Sequence, residues 1–185
     1  MKRILSIFLL GICTLTYSQN LTVTPNGLAN KKDNSKTFIV IEAEGKTALQ
    51  LYNNALKFIN KTYKNPEKVI KGDIKGEYLK FDTHVSNFLT VKNSGANITI
   101  NANYTIELNF KDDRAKFEIV TIEMPAQSGG YSVLFSGGAF SGYPIYNKKG
   151  ALKRPDTKTE IENYFNTVIK SISDYLQEKN SDDNW

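Results

Sequence analysis

An alternation of apolar and polar residues between Asn97 and Phe110 is the most regular pattern in the chain. Every second position is apolar, and these positions are Ile98, Ile100, Ala102, Tyr104, Ile106, Leu108 and Phe110. A period of two predicts a β-strand with one buried and one solvated face, which is typical of an antiparallel sheet. Asp112-Asp113 can turn the chain into a second strand over Ala115–Met124. The register that keeps both apolar faces together pairs Phe110 with Ala115, Leu108 with Phe117 and Ile106 with Ile119.

Three further runs have strand character. Phe38–Ile41 is short, apolar and rich in β-branched residues, which predicts a buried strand. Lys68–Ile74 and Glu77–Val85 predict two strands joined at Lys75-Gly76. In the later strand one face is expected to carry Leu79, Phe81, Thr83 and Val85, and the other Lys80, Asp82 and His84.

A first amphipathic helix is predicted after residue 46. Thr47 and Gln50 have the spacing of a capping box, and Asn65-Pro66 ends the helical pattern. Apolar residues recur three and four positions apart, at Ala48, Leu51, Tyr52, Ala55, Ile59 and Tyr63.

A second amphipathic helix occupies the C-terminal part of the chain. Pro155 precedes it, and Thr157 and Glu160 predict another capping box. Its wide apolar stripe consists of Ile161, Tyr164, Phe165, Val168, Ile169, Ile172, Tyr175 and Leu176. Such a helix must cover its stripe, so we expect it to lie on the sheet.

The order of these elements, β-α-β-β-β-β-α, predicts a two-layer α+β domain with both helices packed on one face of an antiparallel sheet. We assign residues 37–179 to this single domain and residues 180–185 to a flexible tail. Residues 19–36 are polar, contain the turn signal Pro25-Asn26-Gly27, and are interpreted as a segment that leads into the domain.

Residues 1–18 have the pattern of a secretory signal peptide. Lys2 and Arg3 precede the apolar run Ile4–Ile12, and small residues precede an expected cleavage site near Ser18/Gln19. The apolar run is shorter than the ~20 residues that span a bilayer. The mature chain is therefore expected to be periplasmic or secreted and to have no transmembrane helix.

Removal of this leader changes the chemistry available to the chain. Cys13 is the only cysteine, so the mature chain has no disulfide, thiolate metal site or cysteine nucleophile. Ile12 argues against lipid anchoring at Cys13, because lipoprotein processing needs a small residue directly before the cysteine. Lys2 and Arg3 also account for two of the five net positive charges, and the remaining lysines are scattered. Nucleic acid is therefore not expected as a partner.

The chain resembles a secreted bacterial family described only as a domain of unknown function with a TBP-like fold. The resemblance rests on GKTALQLYNNALKFINKTYKNPEKV, FKDDRAKFEI and the long final helix, and it covers roughly residues 25–176. It implies a TBP-like or helix-grip-like fold and an extracytoplasmic location, with a glycine expected where Asp113 stands. It implies no catalytic residues, and the fold name does not imply DNA binding.

Motifs for nucleotide binding, hydrolysis and metal binding are incomplete. Gly45-Lys46-Thr47 lacks the earlier glycine of a phosphate-binding loop, since Val40 stands there, and is interpreted as a turn and a helix cap. His84 has Asp82 and Ser86 beside it on one strand face, which is not the hydrogen-bonded line of a catalytic triad.

A single histidine argues against a zinc site, and the paired aspartates at 112–113 and 182–183 lack the ligand pattern of a calcium loop. No cofactor is expected. Glu107 and Glu118 lie on the two strands of the predicted hairpin, but no pattern indicates that they face each other across a cleft as glycosidase carboxylates do.

Residues 125–156 are rich in glycine, serine and aromatic residues, with one strand expected around Tyr131–Phe135 and a long loop elsewhere. Aromatic rings on a flexible scaffold suit adaptive binding, although these rings could instead cover the open end of the sheet. The candidate ligand-binding residues are Tyr131, Phe135, Phe140, Tyr143 and Tyr146.

Three functions are compatible with these features. The leading hypothesis is a non-catalytic binding or interaction module of the bacterial cell envelope, with an unknown envelope protein or a ligand as partner. The second is a carrier of a small apolar ligand in a cavity between the sheet and the C-terminal helix. The third is a hydrolase, whose activity would be lost in His84→Ala or Glu107→Gln.

Overall fold

A computed structural model describes residues 20–138 and 140–178. The predicted leader, the whole of the predicted tail and Ala139 lie outside these residues. The strands are β1 (Leu21–Thr24), β2 (Gly27–Asn30), β3 (Phe38–Glu42), β4 (Ile70–Ile74), β5 (Tyr78–Asn93), β6 (Ala96–Lys111), β7 (Arg114–Pro125), β8 (Ser132–Gly137) and β9 (Tyr143–Asn147). The helices are α1 (Ala48–Thr62), α2 (Pro66–Val69) and α3 (Pro155–Leu176).

The main sheet has seven strands, six of them in the order β4-β5-β6-β7-β8-β9. The seventh, β3, pairs with residues 114–118 of β7, on the edge of β7 that faces away from β6. The long antiparallel strands β5, β6 and β7 form its centre. Their register confirms the sequence prediction, because Phe110 pairs with Ala115, Leu108 with Phe117 and Ile106 with Ile119. The apolar faces of these strands lie against α1 and α3, so the predicted two-layer α+β architecture is confirmed.

Bulges bend the two long hairpins. In β5 the register shifts between Val85 and Leu89, and Asn87 has a left-handed φ of 55° there. This irregularity places Phe88 against α3, where its ring contacts Tyr164 and Phe165. A second shift, opposite Thr105 and Ile106, lies in β7. The bulges increase local twist and bend the sheet around the long helix.

Helix α1 begins at the predicted capping box, in which Thr47 Oγ1 accepts from Gln50 N and Gln50 Oε1 accepts from Thr47 N. The β6–β7 turn completes this helix end. Asp112 Oδ1 accepts from Ala48 N at 2.9 Å, and Asp113 Oδ1 accepts from Gly45 N at 2.7 Å. The paired aspartates therefore dock the central hairpin onto α1.

Helix α3 is longer at its start than the sequence analysis predicted. Pro155 is its first residue, Arg154 is the N-cap, and the end carries no side-chain cap. The predicted capping box of Thr157 and Glu160 is therefore wrong. Proline is preorganised for the first helical position, and the extra turn leaves Thr157 buried inside the helix.

Residues 19–36 differ from the expected polar lead-in, because the described part folds as the hairpin β1–β2 around the predicted turn. Leu21 and Val23 are buried in the core. Helix α3 holds β1 with Asn166, whose side chain accepts from Leu21 N and donates to Leu21 O, and with Glu162, which accepts from Val23 N. The hairpin is thus part of the domain.

The glycine-rich region contains two strands, β8 and β9, where one was expected. They are parallel, with Val133 opposite Tyr143, and residues 138–142 alone connect them. Ordinary parallel crossovers need a dozen or more residues. Gly142 permits this short link, because its φ is 139° and an added Cβ would lie 2.5 Å from Ser132 O.

Between the helices and the sheet lies one hydrophobic core, with Phe81, Phe117 and Phe165 fully buried. In the part of the chain that the structure describes, no helix has the length and apolarity to cross a membrane.

Candidate functional site

A cleft of about 620 Å³ lies between α1, α3 and the bulged part of the sheet. The two helices run in opposite directions and meet at one end, where Asn54 Nδ2 donates to Leu176 O and Phe58 packs on Tyr175. Helix α1 stops at Thr62 because Asn65-Pro66 follows, whereas α3 continues over the sheet. The difference between 15 and 22 residues, about 10 Å of helix, leaves the cleft.

Tyrosine hydroxyls form the inner surface of the cleft. Tyr104, on β6, is only 4% exposed, and its hydroxyl is 2.9 Å from the hydroxyl of Tyr164 on α3. Tyr63 lies at the C-cap of α1, with its hydroxyl 2.5 Å from Thr83 Oγ1 on β5. The cleft therefore combines groups from helices α1 and α3 and from strands β5 and β6.

The ring of Tyr164 is held by three other rings. Phe88 contacts it edge-on at 4.8 Å, Phe165 at 5.2 Å and Tyr104 at 6.1 Å between centroids. Tyr63 contacts Phe81 in the same way at 6.0 Å. Edge-to-face contacts fix the planes of partly exposed rings, so the cleft presents preformed aromatic surfaces.

Burial favours the neutral form of the phenols of Tyr63 and Tyr104. It raises the pKa of Tyr104, and the hydrogen bond with Tyr164 raises this pKa further. Burial also raises the pKa of Tyr63, against the opposing effect of the hydrogen bond with Thr83. Near neutral pH these hydroxyls can donate and accept hydrogen bonds but carry no charge.

The lining of the cleft contains no lysine, arginine, aspartate or glutamate among the described residues. It consists of Phe58, Thr62, Tyr63, Thr83, His84, Tyr104, Asn163, Tyr164, Thr167, Val168 and Ser171. Aromatic and aliphatic surface thus alternates with hydroxyl and amide groups, which is the composition of a small-molecule site.

A second, more polar cleft of about 450 Å³ lies beside it and includes the outer face of β5 and β6. Here His84 Nδ1 is 2.7 Å from Asn103 Oδ1, and His84 Nε2 is 3.2 Å from Ser86 Oγ. Asp82 Oδ1 accepts from Thr105 Oγ1 at 2.7 Å. In a catalytic triad a carboxylate accepts from Nδ1 of the histidine. Here Nδ1 contacts Asn103 and Asp82 pairs with Thr105, so this arrangement differs from a triad.

Glu107 and Glu118 are directly opposite each other on β6 and β7, on the face away from the helices. Each has partners of its own: Glu107 accepts from Tyr78 OH at 3.0 Å, and Glu118 accepts from Lys116 Nζ at 2.9 Å. Burial raises the pKa of Glu118, but hydrogen bonds from Thr37 and Lys116 outweigh it and leave this pKa lowered. The general acid of a glycosidase needs a raised pKa instead.

The remaining motifs have structural partners. The backbone N–H groups of Gly45 and Ala48, where a phosphate-binding loop would hold its ligand, donate to the carboxylates of Asp113 and Asp112. Within the described residues there is no group of three or more histidine, cysteine, aspartate or glutamate side chains that could hold a metal ion.

Of the five aromatic residues predicted to bind a ligand, Tyr131 and Tyr143 contact each other edge-on, with ring centroids 6.1 Å apart. Tyr143 is buried, the hydroxyl of Tyr146 donates to Val23 O at 2.9 Å, and Phe135 packs against the core. Tyr131 is 54% exposed and Phe140 is 92% exposed. Three of the five rings therefore support the fold, and two remain available on the surface.

The three tyrosines of the cleft were assigned by sequence only to the apolar faces of their elements, and His84 was considered only as a member of a catalytic triad. Tyr63, Tyr104 and Tyr164 do lie on those faces, but each carries a hydroxyl that must reach water or a partner. The presence of tyrosine rather than leucine or phenylalanine at such positions was the sequence feature that could have indicated a polar site. That feature could not show that the three tyrosines lie close together in the fold.

Comparisons with known proteins agree with this fold. Residues 38–124 match the model of a domain of unknown function (DUF4468) with TBP-like fold, which spans β3 to β7. The crystal structure of a DUF4468 family protein from Bacteroides ovatus ATCC 8483 is 13% identical, covers 75% of this chain and 84% of its own, and has a TM-score of 0.52. The crystal structure of a TBP-like protein from Parabacteroides distasonis ATCC 8503 is 14% identical, covers 76% and 90%, and has a TM-score of 0.54.

At these identities the two structures show a shared fold and no shared activity. A comparison with curated proteins finds no match.

Proposed function

We propose that this chain, which belongs through residues 38–124 to the DUF4468 family of domains of unknown function with a TBP-like fold, is a binding module of the bacterial cell envelope. Its ligand is a small molecule that occupies the cleft between α1, α3 and the sheet. The observation that carries the proposal is the preformed, tyrosine-lined cleft of about 620 Å³, whose described lining has no lysine, arginine, aspartate or glutamate. Ligand sites in proteins are usually of about 300–1,000 Å³ and mostly apolar with a few polar groups.

The position of the cleft matches the carrier hypothesis, which placed a ligand between the sheet and the C-terminal helix. The glycine-aromatic segment is less suitable, because Tyr143 and Tyr146 already have structural partners and Phe140 is almost fully exposed. Adaptive loops bind through several converging side chains. The cleft collects such side chains from α1, α3, β5 and β6.

A non-catalytic role is favoured by the partners of the polar side chains. Asp82, Glu107 and Glu118 each accept hydrogen bonds from neighbouring threonine, tyrosine or lysine groups. Such pairing suits structural carboxylates, whereas a general acid or base needs a free approach to the substrate.

Export follows from the predicted signal peptide at residues 1–18, and an envelope location is part of the proposal. The uncovered face of the sheet gives no support for nucleic-acid binding. It presents Glu107, Glu118 and Glu123 in the same region as Lys80 and Lys116, and acidic groups there would repel phosphates.

Thr167 and Thr159 provide a matched test. Both are exposed on α3 and both donate to the carbonyl four residues earlier, at 2.8 Å from Thr167 to Asn163 O and 3.0 Å from Thr159 to Pro155 O. Only Thr167 lines the cleft. Tryptophan at 167 should fill the cleft, whereas tryptophan at 159 adds the same ring outside it.

The assay is titration of the native protein with N-phenyl-1-naphthylamine, an uncharged dye that fluoresces in apolar sites. We expect saturable binding that Thr167→Trp weakens about tenfold or more and that Thr159→Trp and Tyr131→Ala leave within about twofold. Equal binding by the two tryptophan variants, or loss in Tyr131→Ala alone, would refute the cleft as the site. Thermal melts of all variants exclude unfolding as the cause.

A further inference from the structure

From the chemistry of the cleft we infer the class of ligand: a neutral saccharide, with one sugar ring stacked on Tyr164 and its hydroxyls bonded to the polar groups around it. This inference rests on the proposed function. It goes further, because the proposed function requires only a small molecule, and the alternative from sequence was an apolar one.

Charge is the first argument. The described lining residues of the cleft include no lysine, arginine, aspartate or glutamate, and the ring nitrogens of His84, the one histidine there, already contact Asn103 and Ser86. A charged ligand would lose its hydration without gaining a counter-charge, which is costly in a partly buried site. Anionic lipids, nucleotides and cationic peptides are therefore poor matches, and a neutral ligand is favoured.

Polarity is the second argument, and it distinguishes a saccharide from a lipid. Eight lining residues carry a hydroxyl or an amide: Thr62, Tyr63, Thr83, Tyr104, Asn163, Tyr164, Thr167 and Ser171. A purely apolar ligand would displace water from these groups and leave hydrogen bonds unmade, which is costly for each group that it buries. A polyhydroxylated ligand replaces those waters.

Hydrogen-bond capacity remains even where the hydroxyls pair with each other. In the pair Tyr104–Tyr164 one hydroxyl donates and the other accepts, so one of the two protons has no partner within the pair. Tyr63 and Thr83 form a second such pair, and Thr83 also hydrogen-bonds Tyr104, so the four hydroxyls form one chain of three bonds with one proton left over. Each hydroxyl also has two acceptor lone pairs. One spare donor and several acceptors on a fixed frame are complementary to sugar hydroxyls, which both donate and accept.

The ring of Tyr164 provides the third argument. Its plane is fixed by edge-on contacts with Phe88 and Phe165, at interplanar angles of 90° and 89°, while the residue remains partly exposed. A rigid, amphipathic ring at the wall of a cleft offers apolar contact at a small entropic cost. The C–H face of a pyranose can lie on such a ring while its hydroxyls point to the hydroxyls of Tyr63 and Tyr104.

The experiment is saturation-transfer difference NMR of the native protein with a panel of neutral disaccharides: maltose, cellobiose, mannobiose, lactose and N,N′-diacetylchitobiose. At least one should bind, with the strongest transfer on the ring protons of one sugar face. Tyr164→Leu should weaken binding about tenfold or more, and Tyr164→Phe, which keeps the ring, by less than that. Because no ion pair is involved, raising the salt from about 0.05 to 0.5 M should change affinity less than twofold.

The outcomes separate this inference from the proposed function. If the uncharged dye binds in the cleft but no disaccharide of the panel binds at about 50 mM, the saccharide assignment is overturned and the binding function stands. If neither binds, both fail. Saccharide binding that is equal in Thr167→Trp and Thr159→Trp would also overturn the inference, because it would place the sugar outside the cleft.

Discussion

Glu162 attaches the N-terminal hairpin to helix α3, and its replacement by alanine should cost about 2 kcal/mol of unfolding free energy. Glu162 Oε1 accepts from Thr22 Oγ1 at 2.6 Å and from Val23 N at 2.9 Å, and Lys158 Nζ pairs with the same oxygen. A hydrogen bond to a charged group contributes about 1.5–3 kcal/mol. The Glu162 side chain is 21% exposed, so after a bond is lost water can hydrate its partner and recover part of the free energy. We therefore take about 1 kcal/mol for each of the two hydrogen bonds to the hairpin.

Asp174→Ala is the matched control. Asp174 pairs with Lys170 at 2.5 Å across one turn of the same helix, as Glu162 pairs with Lys158. Surface pairs of this spacing contribute about 0.5 kcal/mol or less. Urea unfolding followed by circular dichroism should therefore show a clear loss of stability for Glu162→Ala and little for Asp174→Ala. Equal losses would show that the bonds to the hairpin do not contribute as described.

The same site predicts a pH dependence. Burial raises the pKa of Glu162, but hydrogen bonds from Lys158, Thr22 and the Val23 backbone outweigh it, so this pKa lies below 4.5. A lowered pKa in the folded state gives stability that is fully present above about pH 4.5 and is lost as the pH falls through the folded-state pKa. Glu162→Gln should be less stable than the wild type near pH 7 and approach it near pH 3. A difference that stays constant across this range would contradict the assignment.

Three substitutions test other parts of the fold. Asp113 has a left-handed φ of 65°, so Asp113→Ala should be less stable than Asp113→Gly by about 1 kcal/mol in urea unfolding, since both lack the carboxylate and differ in backbone strain. Equal stability would refute strain at this turn. Phe165 is fully buried among aromatic rings, and Phe165→Ala should lose about 3–5 kcal/mol; a loss below about 1 kcal/mol would contradict its central position. Gly142→Ala should lower the melting temperature by several degrees, because its Cβ would lie 2.5 Å from Ser132 O, and an unchanged melt would count against the short β8–β9 link.

The central sheet could be predicted because its pattern is local and periodic. Strict alternation in β6 and a two-residue turn allow only one register that keeps Phe110, Ala115 and Phe117 on the same face. The capping box of α1 could be predicted for the same reason, since Thr47 and Gln50 are three residues apart. The family resemblance implied the TBP-like fold, and the matched family model confirms it.

The elements that were missed depend on distant contacts. Leu21 and Val23 are buried by α3, whose Asn166 and Glu162 lie about 140 positions later in the chain. Strand β9 pairs in parallel with β8 across a link too short for the usual crossover, so no local pattern indicates it. The cleft arises from unequal helix lengths and bulges in the sheet, and no single segment encodes these features.

The central claim is that a ligand enters the cleft between α1, α3 and the sheet. The most direct measurement is an amide chemical-shift map of the ¹⁵N-labelled protein during titration with N-phenyl-1-naphthylamine. The account predicts that the largest shifts fall at the end of α1, around Tyr63, at Thr83 on β5, and on residues 163–171 of α3. Shifts confined to residues 131–143, around Tyr131 and Phe140, would contradict it.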